Sequence, residues 1–154
     1  MNRLTFSRLS DLIRICKVRE DSYNKAYDSF SHTSMSFIFK KYANESRLFA
    51  AELERYITKY PSKQEDEYDH FVEYKWNKMI GHLPRKNVAE TIQECIECEI
   101  RTIAFFESFL KDYPSLELKM KIVKQLNQIE KSQDILHKFQ NYEETQQLLG
   151  KSEI

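Results

Sequence analysis

Glu20, Glu45, Glu99 and Glu130 are the residues of this 154-residue chain whose placement could do chemistry. Glu99 falls inside an apolar stripe at helical spacing, flanked by Ile92, Cys95, Thr102 and Phe106. Glu20 sits the same way among Ile13, Cys16, Tyr23 and Tyr27. An ionised carboxylate in a low-dielectric interior is heavily penalised unless it takes up a proton or finds a partner. Four converging carboxylates would also repel one another. Three remedies stand open: cationic side chains such as Lys17 or Arg47 reaching in, shared protons, or a bound multivalent cation. Oxygen-only ligation favours iron, manganese, magnesium or calcium over zinc. Against these stands a plainer reading, in which the glutamates are partly exposed, salt-bridged, or hydrogen-bonded to Tyr23 or Tyr42.

The elements that must position these groups are helices. Only two glycines and three prolines occur, and the prolines, with Gly81, fall at "KYPS" (59–62), "GHLP" (81–84) and "DYPS" (112–115). The residue before proline disfavours helix, so each stretch ends a periodic segment. Asn87 with Glu90 and Ser62 with Glu65 have capping-box spacing, and Ser115 can cap after Pro114. Four long helices are predicted, over roughly 7–30, 34–59, 88–112 and 115–140. The first is striped by Leu9, Ile13, Cys16, Tyr23, Tyr27 and Phe30, and the second by Met35, Ile38, Tyr42, Phe49, Leu53 and Tyr56. Val88, Ile92, Cys95, Thr102, Phe106 and Phe109 stripe the third, and Met120, Val123, Leu126, Ile129, Leu136 and Phe139 the fourth. The pattern predicts an all-α four-helix bundle of two antiparallel hairpins. A short helix with Phe71, Trp76 and Met79 crosses over between helices 2 and 3. Residues 1–140 form the bundle, and the polar stretch 141–154 is expected to fray.

An internal repeat links the glutamates. At one constant offset Leu9 falls on Val88, Ile13 on Ile92, Cys16 on Cys95, Glu20 on Glu99 and Phe30 on Phe109. A second, weaker alignment pairs Met35 with Met120, Ile38 with Val123 and Glu45 with Glu130. On this reading a helical hairpin is duplicated and each helix donates one inward glutamate.

Composition narrows the rest. Lys plus Arg number 24, as do Asp plus Glu, which removes the electrostatic case for nucleic acid. No apolar run approaches membrane-spanning length and no secretory signal is visible, so a cytoplasmic location is expected. Cys16, Cys95 and Cys98 are expected as buried free thiols. Although Cys95 and Cys98 spell C-x-x-C, the four histidines are too scattered to complete a zinc site. Neither a phosphate-binding glycine loop nor a nucleophile–His constellation occurs, so no catalytic residue and no organic cofactor is assigned. The acidic "KQEDEYDH" at 63–70 reads as a solvated loop and helix start. Phe37 and Phe105 lie off their stripes and mark an outer apolar face through which copies of the chain could self-associate.

The stretches "LSDLIRICKVREDSY", "YANESRLFAAEL", "VEYKWNKM" and "QECIECE" resemble a bacterial family of four-helix bundles of unknown function within the ferritin-like superfamily. The resemblance spans about residues 9–139 and implies a ferritin-like bundle. Di-iron members of that superfamily ligate metal with glutamates and two Glu-x-x-His motifs. By resemblance, Glu20, Glu45, Glu99 and Glu130 match the glutamates, but Leu48 and Gln133 stand where the histidines belong, and His137 lies one turn too far. The implication is a structural or protein-interaction module with a degenerate metal site and an unknown protein partner. The alternative is a bundle binding a divalent metal such as iron or manganese, with oxidase or ferroxidase-like activity.

Overall fold

A computed structural model describes residues 3–57, 70–111 and 114–152 of the chain. These residues are all-helical, with no strand among them: α1 (Arg3–Ser29), α2 (Ser36–Glu54), α3 (Phe71–His82), α4 (Val88–Leu110) and α5 (Leu116–Ser152). A 3-10 turn, Leu83–Arg85, follows α3. The start of α4 is held by the expected capping box. Asn87 Oδ1 accepts from the Glu90 N–H at 2.8 Å, and the Asn87 N–H donates to Glu90 Oε1 at 3.1 Å. Such a cap contributes about 1 kcal/mol. At the head of α5, Ser115 Oγ accepts from the Leu118 N–H at 3.3 Å. The Ser62–Glu65 pair and most of the acidic 63–70 stretch lie outside the described residues.

Two apolar clusters set the directions of the helices. One joins Leu9, Leu12 and Ile13 of α1 to Leu53 of α2, Phe109 of α4 and Leu118 of α5. The other joins Phe30, just after α1, to Met35, just before α2, and to Val88 of α4 and Leu136 of α5. The beginnings of α1 and α5 therefore share one end, with the finishes of α2 and α4. α1 packs against α2, and α4 against α5, as antiparallel pairs. Because α2 finishes where α4 also finishes, the chain between them must return along the length of the molecule. α3 lies in that return and packs on both α1 and α4. Its Trp76 is fully buried and donates Nε1–H to Thr102 Oγ1 at 3.1 Å. Phe71, at the start of α3, is instead 42% exposed, with Arg101 over its ring.

The predicted stripes of α1, α2 and α4 are buried but for half-buried Tyr27 and Tyr56, whereas that of α5 needs correction. Met120 and Val123 are 65% and 38% exposed, whereas the predicted Leu126, Ile129 and Leu136 are buried, joined by Leu118, Ile122, Gln125 and Ser132. A run of spacings of three slips by about 60° per step around a helix of 3.6 residues per turn. Met120 therefore ends up on the side opposite Ile129. Beyond Gln140, where fraying is expected, α5 continues to Ser152. Its Glu, Gln and Leu residues are good helix formers, and no proline interrupts them.

No helix among the described residues is long and apolar enough to cross a membrane. All three cysteines are buried and free.

Candidate functional site

Between the two apolar clusters lies a polar layer to which each long helix contributes one side chain. From α1 it is Arg19, from α2 Glu45, from α4 Glu99 and from α5 Ser132. Arg19 and Glu99 are both at 0% exposure. Arg19 Nε–H donates to Glu99 Oε1 at 2.9 Å and Nη2–H donates to Glu99 Oε2 at 2.9 Å, a bidentate fork. The same Nη2 donates to Glu45 Oε1, again at 2.9 Å. Ser132 Oγ, 3.4 Å from Nη2, sends its single hydrogen either to Glu99 Oε2 at 2.9 Å or to the Ile129 carbonyl at 2.6 Å.

The rings of Tyr23, Tyr42 and Phe49 surround the guanidinium, their centroids 5.3, 5.9 and 5.9 Å from its central carbon. Ring faces carry negative quadrupole charge, and this supplies attraction where no hydrogen bond does. That matters for Arg19 Nη1, which is buried without a hydrogen-bond partner among the described residues. The hydroxyls of Tyr23 and Tyr42 share that condition. They therefore do not satisfy the carboxylates, which removes the tyrosine hydrogen bonds from the plainer reading.

Electrostatics in the layer follow from burial. Desolvation works against the Arg19 charge, but Glu99, Tyr23 and Glu45 together more than offset it and hold the pKa above the ordinary arginine value. Burial pushes the Glu45 carboxyl up, with Arg19 pulling it back in part. Burial, with Glu99 nearby, raises Tyr23 well above the usual phenol range, and burial likewise raises Tyr42. The Cys16 thiol is pushed up to about 12 by burial. Cys95 and Cys98 are raised for the same first cause. Thiols and phenols here stay protonated at neutral pH, so neither supplies a nucleophile or base.

The structure brings Glu45 and Glu99 together on Arg19. It does not bring the other two expected glutamates to them: Glu20 is half-buried beside the layer and Glu130 is exposed. Arg19 and Ser132 stand in their places, one residue before Glu20 and two after Glu130. Of the expected cations, Lys17 pairs at the surface with Glu54 and Arg47 is exposed. Arg19 had a detectable signal, since Leu12, Cys16, Arg19 and Tyr23 also follow spacings of three and four. A charged side chain in a stripe competes with its neighbour for the inward position. Arginine wins here because its partners on other helices satisfy it.

The ligands of a di-metal centre do not fit this layer. Both oxygens of Glu99 already accept from Arg19, Leu48 is 53% exposed, and Gln133 is half-buried. Among the described residues no group of three His, Cys, Asp or Glu side chains could hold a metal ion. A second polar contact, between His82 Nδ1 and Glu94 Oε1, ties α3 to α4 and is partly exposed.

No family model, curated protein or solved structure matches this chain.

Proposed function

We propose that this chain is a non-catalytic, ferritin-like four-helix bundle of the cytoplasm, acting as a structural or protein-interaction module. In this reading the guanidinium of Arg19 occupies the interior position that a metal would otherwise take. One observation carries the reading: a fully buried arginine is forked onto Glu99 and also bonded to Glu45. The cation that the two acidic groups need is thus part of the covalent chain. The antiparallel hairpins, with a connection returning along the molecule, support the ferritin-like comparison. Three buried free thiols fit a reducing compartment.

With one residue from each long helix, the layer acts as a register lock. Sliding α1 or α4 by a turn would move its member about 5.4 Å and leave a buried charge without its partner, and sliding α2 or α5 would remove a further hydrogen bond from the layer. A rigid set of helices of this kind presents fixed outer faces, which suits interaction rather than turnover.

Metal content decides the matter. Protein purified without added metal, then exposed to ferrous iron under oxygen, is expected to hold no stoichiometric iron or manganese and to develop no metal-dependent absorbance. Tight stoichiometric iron that disappears in Glu99→Gln would overturn the reading.

A further inference from the structure

The outer face of α5 is apolar at both ends and charged in the middle. Leu116, Met120 and Val123 are 73%, 65% and 38% exposed and border a surface groove of about 600 Å³. Towards the other end, Tyr142 and Leu148 are 53% and 67% exposed. Lys131 and Asp134, both exposed, lie between the two apolar ends. At 3.6 residues per turn all of these fall on the side away from buried Ile122, Ile129 and Leu136. At about 1.5 Å per residue the 37-residue helix is about 55 Å long. Gln140 reaches Gln93, only about one turn inside the start of α4. The helix continues beyond that level, and residues 144–150 are all exposed.

This pattern is complementary to itself about the point between Ser132 and Gln133. A second α5 laid antiparallel about that point sets Val123 opposite Tyr142, Leu116 opposite the Leu148 turn, and Lys131 opposite Asp134. Lys124 then comes within a turn of Glu144 on the other copy. Along α5 the basic residues Lys119, Lys121, Lys124 and Lys131 precede the acidic Asp134, Glu143 and Glu144, while Glu117 and Glu130 in the first half and Lys138 and Lys151 in the second run against that order. A two-fold axis makes each contact twice, which is the condition for a closed, isologous interface.

We propose that the outer face of α5 binds a second copy of this chain, as an antiparallel α5–α5 pair. The apolar ends supply the attraction, and the central Lys131–Asp134 contacts set register and exclude a parallel arrangement. This inference is independent of the reading of the Arg19 layer. Ser132 faces the other side of α5, and a metal-binding bundle would pair through the same face equally well.

Sedimentation velocity of the full chain over a micromolar concentration range tests the pairing. The expected species has twice the 18.6 kDa chain mass. Met120→Glu combined with Leu148→Glu should weaken dimerisation by an order of magnitude or more, with far-UV circular dichroism unchanged because both sites are exposed. Lys131→Asp alone should also weaken it, and Lys131→Asp with Asp134→Lys should restore it. A monomer throughout, or a dimer indifferent to the Met120 and Leu148 changes, would overturn the proposal. A charge swap that fails to restore the dimer would overturn the antiparallel register.

Discussion

Two ion pairs start from the same helix two residues apart. Lys17 Nζ lies 2.7 Å from Glu54 Oε1, with side chains 59% and 43% exposed. Arg19 Nε lies 2.9 Å from Glu99 Oε1, with side chains 1% and 0% exposed. The distances are nearly equal, but the consequences differ because of what surrounds them. Around Lys17 water and salt screen the attraction and rehydrate either partner when the other is removed, so the pair is worth little. Around Arg19 there are aromatic rings, and each ion depends on the other. A buried pair contributes less net stability than its Coulomb attraction suggests, because both charges were taken out of water. Its removal by halves is what costs. The contrast locates the molecule's electrostatic vulnerability in one layer rather than in its balanced surface.

The largest expected effect comes from breaking the inner pair on one side. Arg19→Met leaves buried Glu99 and half-buried Glu45 without their cation and should cost about 3–5 kcal/mol in urea denaturation. Glu99→Leu should lower stability on a similar scale, by stranding the guanidinium. The double change Arg19→Met with Glu99→Leu should recover most of either loss. Additive losses in the double mutant would mean that the two residues act separately. Next comes the aromatic contact from α3. Trp76→Phe removes a buried ring and the donor to Thr102, and a loss of about 1–3 kcal/mol is expected by the same method.

A smaller effect distinguishes the two carboxylates of the layer. The folded-state pKa of Glu45 is raised above its ordinary value of 4.5, so folding favours its protonated form. Its contribution to stability is therefore fully present below about pH 4.5 and is lost as pH rises through the raised folded value. Glu45→Gln keeps an acceptor for Arg19 but cannot ionise. It should flatten the pH dependence of stability over that window, seen as a smaller drop in Tm between pH 4.5 and neutrality. An unchanged slope would show that Glu45 does not titrate abnormally. At the bottom of the scale, Lys17→Ala should alter stability by less than about 1 kcal/mol, and less still at high salt. A loss comparable to that of Arg19→Met would dissolve the contrast between the inner and outer pairs.

Much of the helical framework was legible in the chain before any coordinates. Asn87 and Glu90 marked the start of α4, scarce glycine and proline marked the breaks, and three of the four stripes named mostly buried residues. Within the α5 stripe Leu126, Ile129 and Leu136 are buried as expected, and only Met120 and Val123 face outward. Evenly spaced threes look periodic but wind around the cylinder, so the spacing reads this outward end as inward. The length of α5 beyond Gln140 is equally hidden, because polar composition reads as fraying even where the residues are good helix formers.

Spacing along the chain dictates that it is helical, where most helices begin, and that acidic groups enter its interior. One-dimensional spacing carries that much, since hydrophobic periodicity and caps act within a few residues. Which charged residue of α1 faces inward depends on the packing of the other helices around it. Arg19 and Glu20 are adjacent and both compatible with the stripe, and a rotation of α1 by about 100° would exchange them. The choice rests on Glu99, Glu45 and Ser132, contributed by three other helices. Burying the arginine satisfies those groups, whereas burying the glutamate would have added a third negative charge to the same layer.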